Sequence, residues 1–147
     1  MADVVNVQKL FDGERKCIFL FTDKSDGTGE AAVTKVTAST LAAASSGMAC
    51  NAVSPLKIRY SCDGIGVDIL FGATSDALAF HCAKNTQAEV SFAGEWGQDG
   101  GIGNFAAAGK TGNIKFTTTG AGAGSEYTIT IEFLKHYANF YDTSANP

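Results

Sequence analysis

Hydrophobic and polar side chains alternate one by one along two segments of the chain, residues 56–62 and residues 126–133. This period of two is typical of a β-strand with one buried and one exposed face. The predicted inward-facing side chains are Leu56, Ile58, Tyr60, Cys62, Tyr127, Ile129, Ile131 and Phe133. The side chains between them are charged or carry hydroxyl groups, so both segments are predicted to be half-buried strands.

Shorter runs with the same alternation predict four further strands, at residues 67–73, 77–83, 88–93 and 113–119. Their predicted inward-facing side chains are Val67, Ile69, Phe71, Leu78, Phe80, Cys82, Val90, Phe92, Ile114 and Phe116. Residues that favour turns separate the strands, as in the glycine-rich stretch at 120–124. The second half of the chain is therefore predicted to be a succession of short strands.

The first half of the chain gives weaker indications of strands. Residues 16–22 form a continuous apolar run, which suits a central strand covered on both faces or part of a buried helix. Their β-branched and aromatic side chains favour the strand. Residues 31–39 are a weaker strand candidate, and residues 1–10 are either an N-terminal arm or the first strand. Residues 40–49 are rich in Ala and Ser and predict a connection of small residues.

The spacing of these elements predicts the fold class. Nowhere do apolar residues recur at helical spacing over about 11 to 18 positions. About eight or nine short strands at intervals of about 8 to 12 residues indicate an all-β protein, a single antiparallel β-sandwich or barrel. Alternation reports one buried face and does not distinguish these two closures. Residues 138–147 are expected to be a polar C-terminal tail.

Composition narrows the class of protein further. The chain has 147 residues, 45% of them hydrophobic, and a formal net charge of −4. Such a chain can bury a core without metal or disulfide help and is too hydrophobic to be disordered. No apolar run approaches the roughly 20 residues of a membrane span, and 15 acidic against 11 basic residues disfavour nucleic acid. We expect one globular domain, residues 1–147, with no nucleic-acid or membrane partner.

The cysteines and the N-terminal residues indicate the cellular compartment in which the protein is made. Residues 1–9 lack the basic region and apolar stretch of a secretory signal, so we expect synthesis in the cytoplasm. A reducing cytoplasm keeps cysteines as thiols, and we expect four free, mostly buried ones. They are Cys17, Cys50, Cys62 and Cys82. Two bridges formed later, outside a cell, cannot be paired from the sequence.

The longest irregular stretch is a glycine-rich loop near residues 94–112. It holds Trp96, Ile102 and Phe105 among seven glycines. Loops of this length in compact domains are usually functional or mobile. Its aromatic residues are anchors that pack either onto the chain's own sheet or onto a neighbouring molecule.

Gly109-Lys110-Thr111 resembles the end of a phosphate-binding P-loop, but the spacing excludes one. The motif requires glycine at position 104, which is Asn104. The motif also requires a following helix, whereas residues 113–119 are predicted to be a strand. We expect no nucleotide site here.

Residues 23–30 are rich in oxygen-bearing side chains, as calcium loops are. Counted from Asp23, the glycine of the EF-hand pattern should stand at position 28, which is Thr28. Asp26-Gly27 between two predicted strands is more simply a hairpin turn. A cation site is therefore not expected there.

No other pattern predicts catalysis or a cofactor. The two histidines, His81 and His136, lie in no metal-binding motif. Neighbouring His81 and Cys82 point to opposite faces of a strand, which prevents a shared metal ion. Nothing has the form of a nucleophile elbow or another catalytic signature. We expect a protein that is not an enzyme, with no catalytic residue, no metal and no cofactor.

Four stretches of turns and strands carry a resemblance to a known group. They are SDGTGE at 25–30 with VTKV soon after it, IRYSCDGIGVDILF at 58–71, GKTGNI at 109–114 and YTITIEFLK at 127–135. Together they resemble small virion structural proteins of tailed bacteriophages, over about residues 4–137. The resemblance implies a β-rich capsid decoration or cement protein. Such a protein is made in the host cytoplasm, binds the outer surface of the major capsid protein lattice and stabilises it.

In such a protein the N-terminal arm and the glycine-rich loop are the candidate interface. Strand pairing by the arm and aromatic contacts from the loop would supply affinity for the major capsid protein and for copies of the chain itself. The candidate interface residues are Val4, Val5, Val7, Trp96, Ile102 and Phe105. Acidic net charge disfavours a position facing DNA, so we expect a place outside the shell.

Two alternatives stay open. The second possibility, of the same structural class, is a tail tube, tail-terminator or head-tail connector subunit, which would assemble into rings. An alternative of another class is a carbohydrate-binding module that stacks sugars on Trp96, Tyr60 or Tyr137. A single Trp and no row of aromatic residues weaken that alternative.

Overall fold

The structure is a computed structural model that describes residues 4–27, 29–43, 47, 49–91, 109–120 and 122–137. Within these residues the chain forms nine strands and one turn of 3-10 helix, Ala38–Thr40. The strands are β1 (Val4–Asp12), β2 (Lys16–Asp26), β3 (Val33–Val36), β4 (Cys50–Asp63), β5 (Gly66–Phe71), β6 (Ala77–Cys82), β7 (Gln87–Ser91), β8 (Ile114–Thr119) and β9 (Ala123–Tyr137). No helix in the described ranges has the length and apolar character needed to cross a membrane.

The strands form two antiparallel sheets that face each other. One sheet has the order β1-β2-β9-β4-β7 and the other has the order β3-β8-β5-β6. Their inner side chains make one continuous hydrophobic core. The all-β prediction is confirmed, and of its two closures the described strands adopt the sandwich, since each sheet ends in two unpaired edges.

Aromatic rings carry much of the contact between the sheets. Phe21 of β2 packs on Phe116 of β8, with the ring centroids 4.8 Å apart. Phe116 also meets Tyr127 of β9 edge to face at 6.0 Å. Tyr60 of β4 and Phe80 of β6 make a similar contact at 5.9 Å near the other side of the sandwich. These offset and edge-to-face geometries are the ones that aromatic quadrupoles favour.

The alternation of β4 and β9 is confirmed. Ile58, Ile129 and Ile131 are fully buried, whereas Lys57 and Arg59 are exposed. β4 begins at Cys50, earlier than predicted. The prediction missed this first part of the strand because residues 52–56 are all buried. A segment covered on both faces shows no alternation, so period two could not reveal it.

β2 differs from its prediction in one respect. Cys17, Phe19 and Phe21 are buried, but the intervening Ile18 and Leu20 are only half-buried. The expectation of a strand covered on both faces is therefore wrong. Beside Ile18 the outer face of the five-stranded sheet is open and forms a shallow depression, which Lys57 and Glu132 also line.

β6 contains a second departure. Leu78, predicted to face inward, is 47% exposed. The pairing with β5 shifts by one residue, so Phe80 lies opposite Ile69 but Leu78 lies opposite Leu70. Such a bulge turns the residues before it to the opposite face, and the shift cannot be seen in a run of only six residues.

The predicted hairpin at Asp26-Gly27 is also wrong. β2 and β3 belong to different sheets, because β3 pairs with β8. The chain leaves the first sheet through Gly27, whose φ of 112° favours glycine. It then reaches Glu30, whose backbone N–H donates to Thr118 Oγ1 (2.7 Å) and whose carbonyl accepts from Thr118 N–H (2.9 Å). The turn is therefore a crossover between the sheets.

Glu30 places a buried charge between the sheets. Its carboxylate pairs with the Lys35 ammonium and accepts a hydrogen bond of 2.6 Å from the Tyr127 hydroxyl. The Lys35 ammonium also lies 5.8 Å from the centre of the Phe116 ring. Because all of these side chains are buried, each charge depends on the others for the interactions that water would supply.

His136 near the end of β9 is a buried histidine. Its ring is 1% exposed, and its Nε2 lies 2.9 Å from the Ser54 hydroxyl of β4. Burial disfavours the charged ring and lowers the pKa of His136 from 6.5 to about 4. The folded state therefore favours the neutral ring, and this contribution to stability is complete above pH 6.5 and is lost as the pH falls towards 4.

We predict that the free energy of unfolding falls by about 2 kcal/mol between pH 7.5 and pH 5 because of His136 alone. Urea unfolding followed by circular dichroism at both pH values measures the change. In His136→Gln the drop should largely disappear, whereas His81→Gln, which alters an exposed ring, should retain it. An unchanged drop in His136→Gln would assign the pH dependence to carboxylates instead.

Candidate assembly surface at the first strand

The open side of β1 is a sheet edge flanked by exposed apolar side chains. β1 pairs only with β2, from Val4 opposite Lys24 to Asp12 opposite Cys17. Its other side faces no described strand. Among the described residues, the backbone N–H and C=O groups along that side have no strand partner, which is the arrangement to which a further strand can be added. We call this open side of Val4–Asp12 the β1 edge.

Large apolar side chains flank the β1 edge. Four of the exposed large hydrophobic residues lie on this strand. They are Val5 (42% exposed), Val7 (40%), Leu10 (51%) and Phe11 (53%). Single exposed apolar residues are ordinary, but four on one edge strand form a patch that is typical of an interaction site.

The patch extends to both faces of the sheet. Val7 lies opposite the buried Phe21, so it points towards the inner face. Phe11 lies opposite Ile18, which is on the outer face. Between them the pairing shifts at Leu10, a bulge that gives the strand one extra residue. A partner strand added to the β1 edge would meet apolar side chains above and below it.

A buried lysine fixes the end of β1. The Lys135 ammonium, with a side chain that is 0% exposed, donates to Asp12 Oδ1 (2.7 Å), to the Gly13 carbonyl (2.8 Å) and to the Ala42 carbonyl (2.7 Å). Three acceptors match the three N–H donors of an ammonium. β1, β9 and the segment after the 3-10 turn are thereby tied to one point.

Asp12 completes the cluster of contacts around the Lys135 ammonium, which we call the Lys135 anchor. Its Oδ2 accepts from the Ala42 backbone N–H at 2.8 Å and from Lys9 Nζ at 3.3 Å. Burial raises the pKa of the Asp12 carboxyl, but the hydrogen bonds and charge of Lys135 and the Ala42 N–H outweigh burial, so the pKa is lowered. The charged carboxylate therefore stabilises the fold at neutral pH, and this contribution is lost as the pH falls below the ordinary value of 3.8.

The predicted interface residues divide into two groups. Val5 and Val7 lie on the β1 edge and are exposed, and the backbone of Val4 pairs with Lys24 at its start. Residues 1–10, expected to be an arm or a first strand, belong to a strand from Val4 onward. Trp96, Ile102 and Phe105 lie outside the described residues, so their place in the interface stays a prediction.

Sequence reasoning missed the anchor, although a signal for Lys135 was present. The inward positions of β9 recur every second residue, and Lys135 is the next one after Phe133. A charged residue in the inward phase of a strand indicates a buried and paired charge. Its partners come from segments distant in the chain, so the sequence could not identify them.

The outer face of β4, β7 and β9 is polar by comparison. Shallow depressions there are lined by Arg59, Glu89, Thr128 and Thr130. Arg59 Nη2 and Lys57 Nζ lie 3.0 and 3.4 Å from the Glu89 carboxylate. These exposed ion pairs contribute little to stability. Across the described ranges, no three His, Cys, Asp or Glu side chains come together as metal ligands would.

Comparisons of the chain with known protein families, with curated proteins and with solved structures found no match. A functional proposal therefore depends on the sequence and the geometry of the chain itself. The β1 edge has no strand partner among the described residues and carries apolar side chains on an anchored strand, a combination that can bind an extended segment of a partner.

We predict that Asp12→Ala lowers the free energy of unfolding by about 3–5 kcal/mol, because it leaves the buried Lys135 ammonium without its carboxylate. Guanidinium unfolding followed by circular dichroism measures the loss. The matched control is Glu132→Ala, which removes a carboxylate 3.9 Å from the exposed Lys16 and should cost at most about 1 kcal/mol. Equal losses in the two variants would contradict the role of the anchor.

Proposed function

We propose that the chain is a structural protein of a tailed-phage virion, a decoration protein that binds the outer surface of the major capsid protein lattice and stabilises it. The resemblance of its turn and strand stretches points to the virion. The observation that carries the binding role is the β1 edge, a nine-residue open strand with four exposed apolar side chains. No catalytic step is part of this proposal.

The β1 edge lacks the features that protect edge strands from pairing with other molecules. Proteins that stay monomeric shorten their edge strands or place proline and charges on them. β3, β6 and β7, the other described edges, have 4, 6 and 5 residues. β1 has 9 residues, no proline and a single lysine, Lys9, which is paired with Asp12 at 3.3 Å. Its length and apolar character suit a strand that is covered in an assembly.

Strand addition is the binding mode that this edge supports. In β-augmentation the backbone hydrogen bonds supply affinity and alternate side chains supply specificity. Val5 and Val7 on one face and Phe11 on the other would contact the added segment. Because the Lys135 anchor holds Asp12 in place, little ordering entropy is lost on binding. We assign the added segment to the major capsid protein.

The two alternatives lead to different outcomes. A ring-forming tail or connector subunit would pair the β1 edge with a second copy of the chain, so it would self-associate in isolation. For a carbohydrate-binding module, Tyr60 was one candidate stacking residue. Its ring packs against Phe80 of the facing sheet, so it is engaged in the sandwich.

We predict that purified particles of the phage that encodes this chain contain it in hundreds of copies. Regular decoration of a capsid lattice repeats with the major capsid protein, so the two copy numbers should stand in a simple ratio. Quantitative mass spectrometry of the particles measures that ratio. A handful of copies would indicate a connector or tail-tip subunit, and absence from the particles would contradict a virion protein.

We predict that the double variant Val5→Lys, Val7→Lys binds particles at least tenfold more weakly than the parent while keeping its fold. Lysine stems can reach water from these half-exposed positions, and charge on an edge opposes strand addition. Co-sedimentation with particles stripped of the protein measures binding, and circular dichroism measures the fold.

The control is Val33→Lys, which adds charge at a 40% exposed valine in β3 of the other sheet. It should bind like the parent. If the double variant binds normally, the β1 edge is not the interface. If it unfolds, Leu10→Lys in the 51% exposed bulge position tests the same edge with less disturbance of the core.

A further inference from the structure

Cys62 and Cys82 face each other across the sandwich. Cys62 lies on β4 and Cys82 on β6, two strands of different sheets whose Cα atoms approach within 8 Å. Two residues earlier on the same strands, Tyr60 and Phe80 are in ring contact. Since inward side chains recur every second residue, the two cysteines form the next pair along the same line. The two thiols lie close enough for each to shift the pKa of the other.

The chain itself brings the sheets together at this point. Sheets packed face to face lie about 10 Å apart, which is too far for a disulfide with its Cα separation of about 4.4–6.8 Å. Cys82 ends β6, and the next few residues cross to the other sheet to begin β7. Within that crossing, the Thr86 carbonyl accepts a hydrogen bond of 2.9 Å from the Cys62 backbone N–H. The backbone of Cys62 is therefore held against the segment that follows Cys82.

The other two cysteines have no such geometry. Cys17 lies opposite Phe133 on β9, and Phe133 in turn lies opposite Pro55 of β4. Cys17 and Cys50 are thus two strands apart in one sheet and offset along it. The Cys50 thiol donates to the Ala52 carbonyl at 3.4 Å. Of the four buried thiols, Cys62 and Cys82 are thus the pair that the two facing strands place opposite each other.

We propose that Cys62 and Cys82 are a disulfide site, which joins the two sheets covalently when the protein meets a disulfide oxidant such as oxidised glutathione. The inference goes beyond the proposed function and does not depend on it. The structure selects this pair, whereas the sequence left the pairing of the four cysteines open.

The order of the two steps follows from access to the two sulfur atoms. Cys62 lines a shallow surface depression together with Asn85 and Thr86, whereas Cys82 is 0% exposed. Cys62 is therefore the thiol that a disulfide in solution reaches first, and it attacks as the thiolate.

The reaction balances with one molecule of oxidant. Cys62 loses its proton, and its sulfur attacks one sulfur of oxidised glutathione, which forms a mixed disulfide and releases one glutathione thiolate. The Cys82 thiol then gives up its proton and attacks the Cys62 sulfur. This step breaks the mixed disulfide, forms the Cys62–Cys82 bond and releases the second glutathione. The two released thiolates take up the two protons, so two protein thiols are oxidised and one disulfide is reduced.

The test uses the purified full chain under native conditions with oxidised glutathione. We expect two of its four free thiols to disappear and the midpoint of thermal unfolding to rise by roughly 5–10 °C. Digestion after Lys and Arg and before Asp separates Cys62 from the other cysteines. Mass spectrometry without reduction should then find its peptide linked to the peptide that carries Cys82, and reductant should reverse both effects.

Cysteine variants complete the test. Cys82→Ser should lose both the linked peptide and the rise in melting temperature, whereas Cys50→Ser should keep both. Links to Cys17 or Cys50, or four thiols that stay free in the folded chain, would overturn the proposal. If Cys82→Ser does not fold, the peptide map of the parent chain still decides. Because every readout is made on the isolated protein, failure here leaves the role in the virion untouched, and the reverse also holds.

Discussion

The packing of Phe116 between Phe21 and Tyr127 is the contact on which the two-layer architecture depends. Phe116 is fully buried on β8 and meets rings from two strands of the opposite sheet. A sheet with one apolar face is stable only when that face is covered, so each sheet supplies the other with its core. Glu30 and Lys35 are buried at the same place and rely on Tyr127 as a hydrogen-bond donor. Loss of the aromatic contact would therefore expose both apolar surface and a dependent ion pair.

Two connections between the sheets have different consequences for function. The crossover through Gly27 leads to Glu30 and to the buried charges. The crossing after Cys82 holds the segment that follows β6 against Cys62 of β4, so that the two thiols lie near each other. The first connection is held by hydrogen bonds and charge, and the second offers a covalent bond. Because an open sandwich lacks the closure of a barrel, bonds and contacts between its two layers stabilise it.

The β1 edge and its anchor combine stability with the binding role that we propose. An open strand with apolar side chains is a liability unless a partner covers it. Lys135 and Asp12 hold the end of that strand against β9 and Ala42, which keeps the edge in a conformation ready for pairing. The exposed valines contribute little to the core of the free chain, so they are free to serve recognition.

The sequence by itself determined the fold class, the main strands and their inward faces, because period-two alternation of large apolar residues suits only a half-buried strand. It also placed Val5 and Val7 among the interface candidates. Only the tertiary structure decided the strand order, the outward turn of Leu78, the crossover at Gly27 and the partners of Lys135 and Cys62. The physical reason is that alternation records the environment of each residue along its own strand. Pairings between distant segments depend on which faces the folded sheets bring together.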